Sequence, residues 1–318
     1  MLRSLYSGVS GMRGFQTKMD VIANNIANIN TTAFKASRLS FQDMLSQTTA
    51  NASGPSTNGP GGINARQVGL GVKVGSIDMM MGGGALQPTN RELDFAIENE
   101  GFFAVSSNVE GVDSTLTILG DATVGTVSYT RDGAFFRDYE GNLVSASGQR
   151  VLGYVEGAPA IIDVDNPNPS VAPDDFEGFD VATSLKPLKI AETNDEGGKL
   201  QSFSIGASGL IIGVYSGVDG AETLVLGQVA IVKFSNPEGL TKAGGNNYNA
   251  SNNSGAAQFG QGGSAGFGTI NQGFLEMSNV DLANEFTEMI IASKAYAANS
   301  RSITTSDEML QELINLKR

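Results

Sequence analysis

Apolar residues recur in steps of four and three along the last stretch of the chain, from Asp281 to Lys317. Starting at Leu282, the line runs through Phe286, Met289, Ser293, Tyr296, Ser300, Ile303, Asp307, Leu310 and Ile314, the spacing of a helix with a coiled-coil-like seam. Neither Gly nor Pro interrupts it, and Ser278, three residues before Asp281, matches a capping box. At 1.5 Å per residue the expected helix is about 55 Å long. A terminal helix of that length needs a partner along its seam. The first thirty residues offer one: Leu2, Leu5, Val9, Met12, Gln16, Met19, Ala23, Ile26 and Asn30 repeat the same steps, with Phe15, Ile22 and Ile29 as a flanking row. The alternative is that each helix packs on a globular domain of its own. Heptad-like seams at both termini favour mutual packing, and the apolar members of the two lines form the candidate self-assembly seam.

Between the ends the period changes to that of strands. Asn28, Asn30, Thr31 and Thr32 favour local side-chain hydrogen bonds and predict the end of the first helix near Asn30. Gln47 to Gly62 is rich in Ser, Thr, Asn, Gly and Pro and reads as a linker or extended loop. From Val68 onward short apolar clusters alternate with turn signals. Asn99-Glu100-Gly101 reads as a hairpin turn, as does the glycine-flanked Gly206 to Gly209, while Asp132-Gly133 and Glu140-Gly141-Asn142 are turn signals between short strands. Leu224 to Phe234, almost continuously apolar, is the strongest strand, and Gly239 to Gly268 is loop-like. The expected fold class is α+β, with an antiparallel β domain in the middle and long N- and C-terminal helices packing together as a coiled-coil-like terminal domain. The boundaries expected are 1–35 and 278–318 for the terminal helical domain, 36–67 and 240–277 for connecting regions, and 68–155 and 198–239 for the β domain. Residues 156–197 make a small insertion or reduced outer domain.

Composition narrows the chemistry. The 318 residues contain no Cys, His or Trp, which removes thiolate nucleophiles, imidazole bases and the usual zinc ligands. A net charge of −13 argues against nucleic acid and anionic membrane as partners. Residues 1 to 50 carry five basic and two acidic groups, residues 276 to 318 four basic and seven acidic, so the two ends have opposite sign and suit side-by-side packing. The first twenty residues lack the apolar run of a secretory signal, and no segment reaches the roughly 20 apolar residues of a membrane span. Asp163, Asp165, Asp174, Asp175 and Glu177 are spaced somewhat like a calcium loop but lack its glycine at the sixth position and glutamate at the twelfth, so a solvated acidic loop is expected. Arg131-Asp132 and Asp138-Glu140 fall at turns, where solvated charge is commoner than acid–base work, and Gly82-Gly83-Gly84 lacks the Lys and Ser/Thr of a phosphate-binding loop. No catalytic, cofactor-binding or metal-binding residue is expected.

Four ordered blocks resemble the axial proteins of the bacterial flagellum, the group of rod and hook subunits. They are Asn24-Asn25-Ile26-Ala27-Asn28-Ile29-Asn30-Thr31 with Phe34-Lys35; Leu93-Asp94-Phe95-Ala96-Ile97 with Gly101-Phe102-Phe103; Tyr129-Thr130-Arg131-Asp132-Gly133 through Gly148 to Tyr154; and Leu275-Glu276-Met277-Ser278-Asn279 through Asn299-Ser300-Arg301 to Arg318. Ala33 departs from the pattern, which usually has Gly before Phe34. The opening Met1 to Met12, the ending Leu313 to Arg318 and Phe234 to Leu240 are more similar to hook subunits than to distal rod subunits. The resemblance implies a homopolymer forming a flexible hollow tube lined by the terminal helices, which transmits torque from rod to filament. It also implies contacts with distal rod, hook cap and hook–filament junction proteins, and export through the flagellar type III pathway to an extracellular position in the flagellum. A distal rod subunit is the alternative, and a secreted β-rich adhesin is the reading from a different class.

Overall fold

The computed structural model describes residues 2–55, 61–107, 127–155, 160–162, 185–193, 197–217, 221–264 and 266–316. The acidic stretch weighed above as a calcium loop, from Asp163 to Glu177, lies outside them. The chain folds as two units, one of Met1–Ile29, Lys35–Met80 and Val280–Arg318, the other of Asn30–Phe34 and Met81–Asn279. The architecture is mixed, with two terminal helices and a large antiparallel sheet.

In the terminal unit, helix α1 spans Leu2–Ala27 and helix α2 spans Leu282–Leu316. The start of α2 is capped by Asp281 rather than Ser278: the Asp281 carboxylate accepts from the Ala283 N–H at 2.9 Å and the Asn284 N–H at 3.4 Å. An aspartate placed there satisfies two otherwise unpaired amides and sits at the positive end of the helix dipole. Helix α1 stops three residues short of the expected Asn30, where the Asn28 side chain donates to the Asn24 carbonyl at 2.9 Å and so competes with the next helical bond. Ser37–Asp43 pairs antiparallel with Val72–Met79. Residues 47–62, expected as loop, are in part a hairpin arm: Ser46–Ala50 pairs with Arg66–Gly69 while every side chain of both strands is exposed. The ladder needs only backbone groups, and Thr48, Thr49 and Val68 tolerate extended backbone, so no apolar alternation announces it.

The second unit is built on a 14-stranded sheet among the described residues. Its main path runs Leu200–Ile205, Leu210–Ser216, Ala221–Val229, Arg150–Tyr154, Phe102–Ser106, Val127–Thr130, Asn247–Asn249 and Thr241–Gly244. Phe95, Phe103 and Phe135 are fully buried at its core, the Phe135 ring centroid lying 5.8 Å from that of Phe95 and 5.2 Å from that of Phe103. The hairpin expected at Gly206 to Gly209 and the turn expected at Glu140 to Asn142 are present. Asn99-Glu100-Gly101 is not a hairpin turn. Phe95–Glu98 pairs with Thr269–Gln272, and Phe102–Ser106 pairs with Val127–Thr130 and Ile231–Lys233. The chain changes sheets there through Asn99 at φ +73° and Gly101 at φ +149°, and a Cβ on Gly101 would lie 2.5 Å from the Ile231 methyl. Glycine is required by contact as well as by torsion. The loop-like 239–268 also carries strands, Thr241–Gly244 turning back through Gly245-Asn246 to Asn247–Asn249.

Candidate assembly surface

Residue 33 marks the first difference from the family pattern. Ala33 adopts φ +56°, so the left-handed turn that glycine favours survives with a Cβ in place. The residues around it are tied into the second unit. The Ala33 N–H donates to the Glu276 carbonyl at 2.8 Å, the Thr32 hydroxyl to Asp132 at 3.0 Å, the Asn246 amide to the Thr32 carbonyl at 3.0 Å, and the Lys242 ammonium sits 4.6 Å from the Phe34 ring centroid. Burial holds the Lys242 pKa below its usual range. The Glu276 carboxylate, itself buried, accepts from the Gly84 N–H at 2.8 Å and faces Arg131 Nε at 3.0 Å. That last approach lacks hydrogen-bond alignment, so it acts as a charge pair, while the Arg131 guanidinium also donates to the Asn99 carbonyl. These groups brace a turn; they present no solvent-facing acid–base pair.

In the terminal unit, α1 and α2 lie side by side and antiparallel. Ser4 meets Ser306 at 3.3 Å, Lys18 pairs with Glu288 at 2.5 Å, and the Asn25 amide donates to Glu285 at 3.0 Å. Between these points the contact is made by glycine. A Cβ on Gly8 would lie 2.9 Å from Ile303 Cγ1, and one on Gly11 would lie 2.7 Å from Asn299 Nδ2. Asn25, at 1 % exposure, also donates to the Ser37 carbonyl at 2.8 Å and accepts from the Ser37 N–H at 3.0 Å, pinning α1, α2 and the first strand together. Burial raises the Glu285 pKa; the Asn25 hydrogen bond acts against the shift, as does Lys18, while Glu288 and Asp281 add to it.

The faces that meet are therefore Ser4, Gly8, Gly11, Lys18 and Asn25 against Glu285, Glu288, Asn299, Ile303 and Ser306. On both helices this line lies one residue before the apolar seam read from the sequence, except at Ile303, a seam residue that itself packs against Gly8. Leu5, Val9, Met12, Met19 and Ile26 are half-buried beside the contact, as are Met289, Ile303 and Leu310. Leu282, Phe286, Tyr296 and Ile314 are exposed, Phe286 at 50 % and Ile314 at 66 %. Leu2 lies within α1. Of the motif residues, Asn24 and Asn28 cap the helix end, Asn25 is the pin, Asn30 is exposed, and Phe34 and Lys35 are buried. The glycine face gave no apolar signal, although small residues at Gly8, Gly11 and Gly14 recur every three positions and mark close approach. Gly14 packs against Phe41, whose ring lies 5.2 Å from that of Phe15.

Comparison with known proteins bears on what such a surface is for. Residues 5–35 match the family described as flagella basal body rod protein, residues 118–213 the flagellar hook protein FlgE/F/G D1 domain, and residues 271–316 the flagellar basal body rod FlgEFG protein C-terminal family. The flagellar basal-body rod protein FlgG of Bacillus subtilis is 44% identical over 320 residues, covering 100% of both chains. The FlgG protein of Borreliella burgdorferi is 35% identical over 318 residues, again covering 100% of both. The flagellar hook protein FlgE of the same organism is 30% identical over 461 positions and 100% of both chains. These relatives are structural parts of the flagellum, and none is named for a catalytic activity. Aligned with such proteins along its entire length, the chain belongs to the flagellar basal-body rod and hook protein family.

Proposed function

We propose that the chain is an axial subunit of the flagellum that polymerises into a hollow helical tube, with α1 and α2 forming the inner wall. The observation that carries this is the uncovered apolar surface of α2. Phe286, Ile290, Ile291, Met309, Leu313, Ile314 and Leu316 are all at least 47 % exposed. Fully burying a side chain of this kind is worth about 1.5 to 3 kcal/mol, so covering these partly exposed ones is comparable with the roughly 4 to 15 kcal/mol cost of association. A contact joining two different faces, repeated without closing, yields a filament. In the tube the apolar seams of neighbouring subunits pack in coiled-coil fashion on the faces that the glycine contact leaves open.

Within the family, chain length favours the distal rod. The rod proteins align over about as many positions as this chain has residues, 320 and 318, whereas the hook alignments extend to 461 and 483. The hook remains the second reading, supported by the hook-like termini and by 41% identity over 190 residues to the hook protein of Helicobacter mustelae. Either way the partners are further copies of the chain and adjoining axial proteins, including the hook cap and hook–filament junction, reached through the flagellar export apparatus. Electron microscopy of the concentrated purified chain tests the polymer, and discrete particles at all concentrations sink it. In a strain deleted for the gene, a complete rod lacking only the hook assigns the hook; a truncated rod assigns the rod.

A further inference from the structure

A groove in the terminal unit runs between α1 and the strand Val72–Met79 and encloses about 550 Å³. Tyr6 and Val9 form its helical wall; Met44, Leu70, Val72 and Val74 form the other. Its rim is basic, with Arg3, Arg13 and Lys73, and no acidic side chain lines it. Gly71, at φ +121°, lets the chain hug α1 at Ser10, where any Cβ would collide with the serine hydroxyl, so close contact beside the lining residues Leu70 and Val72 fixes that wall against the helix.

We infer that this groove receives the last turns of α2, Asp307 to Leu316, from a second copy of the chain. The inference rests on the polymer reading above and names one of its contacts. Three observations carry it. First, Ser306 meets Ser4 at the very start of α1, so the ten residues that follow run past the beginning of that helix and away from their own groove; only another molecule can supply them. Second, the segment has the matching surface: Met309, Leu313 and Leu316, exposed at positions i, i+4 and i+7, form one line, and Glu308 and Glu312 precede the first two. With Asp307 it carries three acidic groups and no basic one, against the three basic groups of the rim. Third, the segment is short enough to fit. Ten helical residues span about 15 Å, and the helical wall from Arg3 to Thr17 spans roughly 21 Å.

The chain has no cysteine, so the test is direct. The full-length double variant Tyr6→Cys/Leu313→Cys is polymerised and oxidised, and the products are separated under denaturing conditions. A ladder extending beyond dimers, absent from either single variant, is the expected result, because each molecule offers one groove and one tail. Independently, Arg13→Glu should raise the critical concentration about fivefold through lost and reversed ion pairs, and adding either Glu308→Arg or Glu312→Arg in the same chain, which leaves rim and tail with opposite net charge, should restore it. Wild-type tubes accompanied by no ladder and an indifferent Arg13→Glu overturn the groove assignment while leaving polymerisation intact. Failure of the wild-type chain to polymerise at all removes both readings. Circular dichroism of the unassembled variants separates a folding defect from an assembly defect, and the rescue variant then decides.

Discussion

At Asn25 one amide joins three elements, giving and taking a hydrogen bond with the Ser37 backbone and donating a third to Glu285. Its removal takes two hydrogen bonds from the half-buried Ser37 backbone and one from Glu285, each worth about 0.5 to 1.5 kcal/mol. Asn25→Ala is expected to destabilise the terminal unit by about 2 to 4 kcal/mol in thermal unfolding followed at helical wavelengths. Asn25→Asp, which keeps the acceptor, should cost less only if Glu285 is neutral. Glu276 plays a comparable part in the other unit. Glu276→Ala strands Arg131 at 4 % exposure, and losing one member of a buried pair costs about 3 to 5 kcal/mol; a smaller loss in chemical denaturation contradicts the bracing role assigned to it. Ala33 balances two effects. A left-handed non-glycine residue costs about 1 to 2 kcal/mol, and its buried methyl contributes about 0.8 kcal/mol, so Ala33→Gly should change stability little, whereas the branched Ala33→Val should lower it clearly.

The two helices show what periodicity reveals and what it conceals. Their existence, type and length were legible because a seam of steps three and four, unbroken by Gly or Pro, admits few other readings. The face that packs within the molecule was not, because Gly8, Gly11 and Ser306 bring no apolar signal, and the seam marks residues that need cover without saying which surface supplies it. The hairpin inferred at Asn99 to Gly101 failed for a related reason: a glycine demanded by the Ile231 contact looks, in sequence, like a glycine demanded by a turn. The glycine contact predicts unequal mutants. Gly8→Val pushes into Ile303 and should destabilise by about 1 to 3 kcal/mol. At Gly11 the obstruction is the end of the Asn299 side chain, which can swing aside, so Gly11→Ala should be neutral or gain up to about 1 kcal/mol of helix propensity. The pair also weakens as pH rises. Because the folded-state pKa of Glu285 is raised, its contribution is fully present below the ordinary glutamate pKa of about 4.3 and is lost as pH rises through the raised value. Melting temperatures of wild type minus Glu285→Gln should therefore fall as pH rises above the ordinary glutamate value; a flat difference rules out the titration.

For the whole chain, charge acts on assembly more than on fold. The net −13 resides between residues 51 and 275, since the two ends carry opposite and equal excesses. Neighbouring copies in a polymer therefore repel through their middles. Raising ionic strength from about 0.01 M to 0.15 M shortens the screening length from about 30 Å to 8 Å. Half-buried pairs between the ends are screened less, so polymer yield by sedimentation should rise over this range; a fall means the terminal charge contacts outweigh the repulsion. Family membership was legible from the ordered blocks because those residues recur at fixed places along the chain. Rod against hook was not, because the hook-like termini point one way and the aligned lengths the other.

The antiparallel course of α1 and α2 has a consequence for how chains of this kind vary in size. The polypeptide leaves the pair near Asn25 and re-enters it near Glu285, two side chains 3.0 Å apart. Most of what lies between is a guest in sequence, the strands Ser37–Asp43 and Val72–Met79 staying with the helical host, and Asn25 and Glu285 are the posts of its gate. Material added far from that gate lengthens the guest without moving the gateposts, and hook proteins aligned over 461 and 483 positions still embrace this entire sequence.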